Sequence, residues 1–320
     1  MSDFHDASGE RRRYPADATI TRWLAPDGWP LRVFDWPAGG GVAPRGSILF
    51  QGGRGDFIEK YLESFAPWHA RGWRVTAFDW RGQGGSGRTT PAPHVGHIAD
   101  FADFIGDLRA FWAAWSATAP GPLIAMGHSM GGHLVLRALA ERAIDPQAVV
   151  LVAPMLGLRA PISARVGEAV AGLMTRLGDP ARAAWKGNER PHTLKSRQSL
   201  LTHDDARYCD ELWWQAQDAS LLTGPPSWTW VAQGFASTRR LNASPALADV
   251  RTPVLMLVAE ADGLVDPRVA LAVAARLPDA RVVRFGSESA HEILREVDSV
   301  RGRALTEIDA FLDARAQDTP

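Results

Sequence analysis

The chain has 320 residues, 46% of them hydrophobic, with 30 glycines, 22 prolines and 35 basic against 36 acidic side chains, a formal net charge of -1. That is long and apolar enough for a sizeable core, too poor in glycine and proline for a low-complexity or collagen-like chain, and too balanced in charge for an overall field toward nucleic acid or an anionic membrane. The single cysteine, Cys209, excludes an intramolecular disulfide and a cysteine-based zinc site, and it suits a reducing compartment.

From the N-terminus, Arg11-Arg12-Arg13 is followed by Tyr14-Pro15-Ala16-Asp17 and no apolar run, so neither a secretory nor a twin-arginine signal is read there. Apolar runs elsewhere fall short of the roughly 20 residues that span a bilayer, and a cytoplasmic protein is expected. Thr19 to Leu24 and Leu31 to Trp36, around Pro26-Asp27-Gly28, read as a hairpin. Strand and helix then alternate: Ser47 to Phe50, a helix over Glu59 to Ala70, Trp73 to Phe78, a helix over Ile98 to Trp115, Leu123 to Met126, a helix over Met130 to Arg142, and Val149 to Ala153. The rhythm resumes with Val254 to Val258, Arg268 to Leu277, Arg281 to Phe285 and a last helix near Arg301 to Ala314. Such alternation implies a mostly parallel sheet covered by helices on both faces.

The interval 155–249 breaks the rhythm with amphipathic helical patterns, Gly224-Pro225-Pro226 and Trp185, Trp213, Trp214, Trp228 and Trp230. It reads as a helical cap inserted between two parts of one sheet domain, 1–154 and 250–320. Most of its apolar residues should form the cap's own packing. Some should line the groove between cap and sheet, and Trp213, Trp228 and Trp230, with Gly53 from the sheet side, are the substrate-contact candidates.

The chemistry is carried first by Gly127-His128-Ser129-Met130-Gly131, a G-x-S-x-G between a strand and a helix, which makes Ser129 a nucleophile projected above the sheet edge. A serine hydroxyl needs a base, and the base a carboxylate, in the chain order Ser, acid, His. Asp262 follows the strand Val254 to Val258; Glu260 and Asp266 share its loop, and Asp262 is the preferred acid. His291, after the strand Arg281 to Phe285, is the one histidine beyond that acid. His128 is expected to pack at the elbow with its ring turned from the Ser129 hydroxyl. His69, His94, His97, His133, His192 and His203 show no metal-ligand spacing. For the oxyanion, the backbone N–H of Met130 is one expected donor. The other should come from Gln51-Gly52-Gly53-Arg54-Gly55, with the Arg54 amide preferred and Gly53 next. This chemistry requires no metal or cofactor. Gly82-Gln83-Gly84-Gly85-Ser86-Gly87 fits G-x-G-x-x-G, but Pro91 and Pro93 follow where a helix should open, which argues against a dinucleotide site.

These motifs together resemble the α/β-hydrolase superfamily. Asp79-Trp80-Arg81-Gly82-Gln83-Gly84-Gly85-Ser86 is similar to the D-x-R-G-x-G-x-S turn of its monoglyceride lipase and lysophospholipase branch. Gly53-Arg54 with Glu59-Lys60-Tyr61, His94-Val95-Gly96-His97, Ala153-Pro154-Met155-Leu156-Gly157, Leu201-Thr202-His203, Gly224-Pro225-Pro226-Ser227-Trp228 and His291-Glu292-Ile293-Leu294 resemble the bacterial lysophospholipase L2 group, from about Ile48 to Phe311. One departure is Gly52-Gly53 where many of the wider branch carry His-Gly. The resemblance implies an α/β-hydrolase fold with an eight-stranded sheet, and a serine hydrolase cleaving the acyl ester of a lysophospholipid with Ser129, Asp262 and His291 as its catalytic residues.

The alternatives are a monoacylglycerol lipase or general carboxylesterase, an acyltransferase, and a silent lipid-binding relative. Ser129 at the elbow argues against a haloalkane dehalogenase or epoxide hydrolase, which need a carboxylate there. Arg176, Arg182, Lys186, Arg190, Lys195 and Arg197 read first as a solvated face of the cap, with peripheral contact to an anionic bilayer as the second reading.

Overall fold

A computed structural model describes residues 9, 11–39, 44–92, 94–159, 164–185 and 197–315. Eight strands form one sheet in the order β1-β2-β4-β3-β5-β6-β7-β8. They are β1 (Thr19–Leu24), β2 (Pro30–Trp36), β3 (Gly46–Gln51), β4 (Trp73–Phe78), β5 (Leu123–His128), β6 (Ala148–Val152), β7 (Val254–Ala259) and β8 (Ala280–Phe285). β2 pairs antiparallel with both β1 and β4. All pairs from β4 to β8 are parallel. Every residue of β3, β6 and β7 is buried, which explains why β6, β7 and the Ile48 to Phe50 stretch of β3 are continuous apolar runs and not alternating ones.

The helices are α1 (Leu62–Ala70), α2 (Phe101–Ser116), α3 (Met130–Ala140), α4 (Ala164–Arg176), α5 (Arg197–Leu201), α6 (Asp205–Gln217), α7 (Trp228–Ala243), α8 (Pro267–Ala274) and α9 (Asp298–Arg315). One apolar cluster joins α2, α3 and α8 to one face of the sheet through Phe104, Trp112, Leu134 and Val273. Another joins α1 and α9 to the opposite face through Phe65, Trp68, Ile308 and Phe311. Two helices start later than in the sequence pattern. Glu59 lies in a 3-10 turn, Ile58–Tyr61, whose side chains are all buried, and the α-helix begins only at Leu62. α2 begins at Phe101 because Asp100 caps it, accepting the Ala102 N–H. Between β6 and β7 the chain leaves the sheet and forms α4 to α7, with α4 lying along α7.

The glycine-rich run after β4 is a buttress. Asp79 Oδ1 accepts the Ile58 N–H at 3.0 Å, and its Oδ2 accepts Gly85 N–H and Arg32 Nε, each at 2.7 Å. Ser86 Oγ donates to the Asp79 carbonyl at 2.7 Å and accepts the Arg32 N–H at 2.8 Å. The Arg32 guanidinium also holds Glu59 in a two-pronged contact at 2.7 and 2.8 Å. Gly84 has φ +51°, and a Cβ there would lie 2.3 Å from Asp79 Oδ2. Gly84→Ala is therefore expected to lower stability by roughly 2 to 3 kcal/mol, within the range for overpacking plus a strained backbone. At exposed Gly106 of α2, an added methyl group would meet nothing within 4 Å, so Gly106→Ala should stabilise by about 0.5–1 kcal/mol through helix propensity. Urea unfolding of both variants checks the contrast.

Candidate active site

Ser129 occupies the turn between β5 and α3 with φ 52° and ψ -118°, a strained conformation for a residue with a side chain. Three backbone bonds impose it. Its N–H donates to Val152 O at 3.0 Å, and its carbonyl accepts His133 N–H at 3.0 Å and Met155 N–H at 2.9 Å. The chain can turn so sharply because Gly127 and Gly131 touch backbone to backbone; a Cβ on Gly127 would lie 2.6 Å from the Gly131 carbonyl oxygen.

The three residues expected after β5, β7 and β8 meet. His291 Nε2 is 2.8 Å from Ser129 Oγ, and its Nδ1 is 2.5 Å from Asp262 Oδ2. Asp262 is fully buried. Its Oδ1 accepts the N–H groups of Leu264 and Val265 at 2.7 and 3.1 Å, which aims Oδ2 at the histidine. The competing acids are engaged elsewhere: Glu260 with Arg284 at 2.6 Å, and Asp266 as the cap of α8, accepting Arg268 N–H at 3.0 Å. Burial alone would lower the His291 pKa. The Asp262 carboxylate, by charge and hydrogen bond, outweighs it with help from Glu292 and Asp56, and the pKa is raised above the ordinary histidine value.

The loop after β3 passes directly over Ser129, and a Cβ on Gly53 would lie 2.9 Å from Ser129 Cβ. The buttress holds this loop. Trp80 Nε1 donates to Gly52 O at 2.9 Å, Gln83 Nε2 to Gly53 O at 2.7 Å, and Gly55 N–H to Gln83 Oε1 at 3.2 Å. The Gly53 amide is committed to Asp56 Oδ2 at 2.6 Å. Arg54 follows Gly53 in this loop, and Met130 opens the first turn of α3, where N–H groups have no intrahelical acceptor. The Arg54 side chain runs away from the loop, donating to Gly224 O at 2.9 Å, with its guanidinium carbon 5.5 Å from the Trp230 ring centre.

A cavity of about 380 Å³ opens beside Ser129 and His291, between the sheet edge and the insertion. Trp228 and Trp230 are on its wall, as are Gly53 and Arg54, joined by Trp185. Trp213 is not. It packs edge-on against Trp214 with ring centres 4.9 Å apart, beneath Arg12 at 5.4 Å, so its contacts tie the insertion to the N-terminal segment and not to a ligand. The supposed basic face also changes. Arg197 turns inward to the cavity wall and pairs with Glu211 at 2.7 Å, while Lys186, Arg190 and Lys195, like His192, lie outside the described residues. His128 does more than pack: its Nδ1 is 2.8 Å from Tyr61 Oη and 3.2 Å from Asp56 Oδ2, and its Nε2 is 3.3 Å from the His291 carbonyl oxygen. The polar residues Asp56, Lys60 and Glu292, also on the wall, went unassigned in the sequence although Lys60 and Glu292 sit inside motifs that carry the resemblance.

A mostly parallel sheet with a serine elbow after its fifth strand, and an acid and a histidine bonded to one another after its seventh and eighth, defines an α/β-hydrolase. The family model described as serine aminopeptidase, S33, matches residues 42–298, and the chain belongs to that family. It is 32% identical over 275 residues to lysophospholipase L2 of Escherichia coli (strain K12), an alignment covering 82% of this chain and 78% of that protein. Among solved structures, a soluble variant of monoglyceride lipase from Saccharomyces cerevisiae aligns with a TM-score of 0.73 at 17% identity, covering 95% of this chain and 98% of that one. A thermostable carboxyl esterase from Bacillus coagulans aligns with a TM-score of 0.74 at 15% identity, covering 94% and 100%. Among the described residues, no helix is long and apolar enough to cross a membrane.

The histidine environment gives a direct expectation. An NMR titration of the His291 ring should show a midpoint above the ordinary histidine value of roughly 6.5, and Asp262→Asn should lower it, because the carboxylate charge that favours imidazolium is gone. A midpoint unmoved by Asp262→Asn would contradict the pairing.

Proposed function

We propose that the protein is a serine ester hydrolase that removes the remaining acyl chain of a lysophospholipid through an acyl-enzyme on Ser129. His291 takes the Ser129 proton as the hydroxyl attacks the ester carbonyl, and Asp262 fixes the ring and stabilises the imidazolium. The Met130 and Arg54 amides receive the oxyanion. His291 then protonates the leaving alcohol, and water activated by the same ring releases the fatty acid. The observation that carries the reading is the Ser129–His291–Asp262 hydrogen-bond chain opening onto one cavity with two kinds of wall. Leu158, Val231, Phe235 and Val265, with Trp228 and Trp230, suit an acyl chain, while Arg54 and Arg159 on the same cavity suit an anionic phosphate. The name of the Escherichia coli relative agrees with this substrate class.

The family description invites a peptidase reading, in which a substrate ammonium would need a carboxylate. The carboxylates of the described cavity wall are Asp56 and Glu292, and Lys60 Nζ already bonds both, at 2.6 and 2.7 Å. That favours the ester. In this reading 155–249 is a cap on a core formed by 1–154 and 250–320, and the enzyme works in the cytoplasm, where the exposed Cys209 remains a thiol.

The same reading seats the cap on a lipid surface, through α4. Val166, Val170 and Leu173, followed by Leu177, are 49%, 41%, 56% and 54% exposed, at the four- and three-residue spacing of one helical face. Val170 also lines the cavity, and exposed Arg165 and Arg176 flank the stripe. An apolar stripe with basic ends suits the boundary between headgroups and acyl chains.

Fatty-acid release from matched lysophospholipids, monoacylglycerols and short soluble esters tests the chemistry. Lysophospholipids should be preferred, and Ser129→Ala should lose roughly 10³-fold or more on every ester. Turnover confined to short esters would remove the lysophospholipid assignment, and turnover independent of Ser129 would remove the mechanism. For the surface contact, Leu173→Asp with Leu177→Asp should cut vesicle co-sedimentation and turnover of aggregated lysophospholipid about tenfold while sparing a soluble ester; equal loss on both substrates would count against it.

A further inference from the structure

At the cavity wall and just behind it, three carboxylates and three cations converge from separate parts of the chain. Lys60 lies in the 3-10 turn that follows the oxyanion loop, and its side chain is 1% exposed. Its ammonium donates to Asp56 Oδ1 at 2.6 Å and Glu292 Oε1 at 2.7 Å, and lies 3.1 Å from Glu211 Oε2. Arg295 pairs with Glu292 and, at 3.1 Å, with Glu211, and Arg197 pairs with Glu211 at 2.7 Å. The six formal charges cancel.

Each partner of Lys60 belongs to a different part of the machinery. Asp56 Oδ2 accepts the Gly53 amide and the Tyr61 hydroxyl, each at 2.6 Å, and so holds the loop that presents the Arg54 amide. Glu292 directly follows His291. Glu211 comes from α6 of the insertion and is fully buried. With three donors facing three carboxylates, the ammonium has no donor left for a ligand. Burying so many charges is a poor route to stability, because apolar side chains of the same volume commonly do as well. What apolar side chains cannot supply is a fixed potential beside His291.

We infer that Lys60 is a positioning residue for the reaction: it ties the oxyanion loop to the histidine loop and cancels the negative charge that Asp56, Glu211 and Glu292 would otherwise impose on His291. This rests on the Ser129–His291 reading above. Burial opposes every charge in the cluster, yet mutual attraction wins. Lys60 is held above its ordinary range, and Asp56, Glu211 and Glu292 are held below theirs, so all stay ionised near neutrality. The groups facing His291 are Asp262, Ser129 and the His128 ring, 4.8 Å away between centroids, with Glu292 and Asp56 acting by charge.

The test is the pH dependence of kcat/KM on a soluble short-chain ester, whose acidic limb reports the free-enzyme histidine. Lys60→Met leaves the cluster at one net negative charge and should move the limb up by about half a pH unit or more, with kcat falling about tenfold and KM little changed. Glu211→Gln leaves one net positive charge and should move the limb down. The double variant should bring the limb back toward wild type while kcat stays low, because the tie between the loops is still missing. Single variants that leave the limb in place, or move it in the same direction, overturn the inference, since a merely structural defect has no reason to follow the sign of the removed charge. If Lys60→Met fails to fold by circular dichroism, Glu211→Gln and the double variant carry the same test. Turnover independent of Ser129 would fell the underlying mechanism and this inference with it; Ser129-dependent turnover with an unchanged limb in both single variants would fell the role of Lys60 alone.

Discussion

The parallel run of strands from β4 to β8 is the constraint on which the site depends. Parallel strands all release their loops at the same edge, so the loops after β3, β5, β7 and β8 are neighbours although they lie far apart in sequence. This is the edge at which open α/β sheets bind ligands. Each of these loops delivers one part: Gly53 and Arg54, then Ser129, then Asp262, then His291. A shift of one residue in any pairing would turn a whole strand over, and the 2.8 Å contact between His291 and Ser129 would be lost. The apolar layers on both faces fix that register, and in this sense the core positions the chemistry.

Alignment at the sheet edge still leaves each loop free to wander, and a different kind of bonding removes that freedom. The loop over Ser129 is held from below by Trp80 and Gln83, which belong to the turn organised by Asp79 and Arg32. The histidine loop is held from above, because the amides of His291 and Glu292 donate to Leu200 O and Leu201 O of α5 at 3.3 and 2.7 Å. Strain at Ser129 is tolerated because three backbone hydrogen bonds over-determine it. The polar interior thus does what the apolar core cannot, fixing direction as well as distance.

Much of this was legible in the sequence, for a physical reason. Strand ends are local features, and Ser129, Asp262 and His291 each sit within a few residues of one, so the G-x-S-x-G motif and the chain order Ser, acid, His singled them out, with Glu260 and Asp266 sharing the loop of Asp262. Trp213 and Trp230 looked alike because both sit in amphipathic helices of the insertion, and helical period does not say whether an apolar face meets a cavity or another part of the chain. Trp213 met Trp214 and Arg12 instead. Arg197 read as surface charge because its partner, Glu211, is set by how α5 and α6 pack. The cluster around Lys60 was invisible for the same reason: Lys60, Glu211 and Glu292 carry no shared spacing, and only the fold brings them within 3.1 Å. His128 was half legible, since its neighbourhood to Ser129 was evident but its bonds to Tyr61 and Asp56 were not.

These contacts divide the insertion into two unequal halves. α5 and α6 are bonded to the histidine loop through backbone amides, through Thr202 Oγ1 on Arg295 O at 2.7 Å, through Arg207 on Glu296 O at 2.8 Å, and through the buried Glu211 on Arg295 at 3.1 Å. Displacing them would carry His291 away from Ser129, so a motion that admitted substrate by that route would abolish the site it served. α4 is built differently. It lies along α7, leaves an apolar stripe exposed, and contributes Gly167 and Val170 to the cavity wall without touching the bonds that join Ser129, His291 and Asp262. Its buried side packs on α7, with Ala171 fully buried and Gly167 against the Phe235 ring, so its contacts run within the insertion and not to the histidine loop. The 2.5 and 2.8 Å bonds of His291 therefore depend on how α5 and α6 seat against the histidine loop, and not on α4.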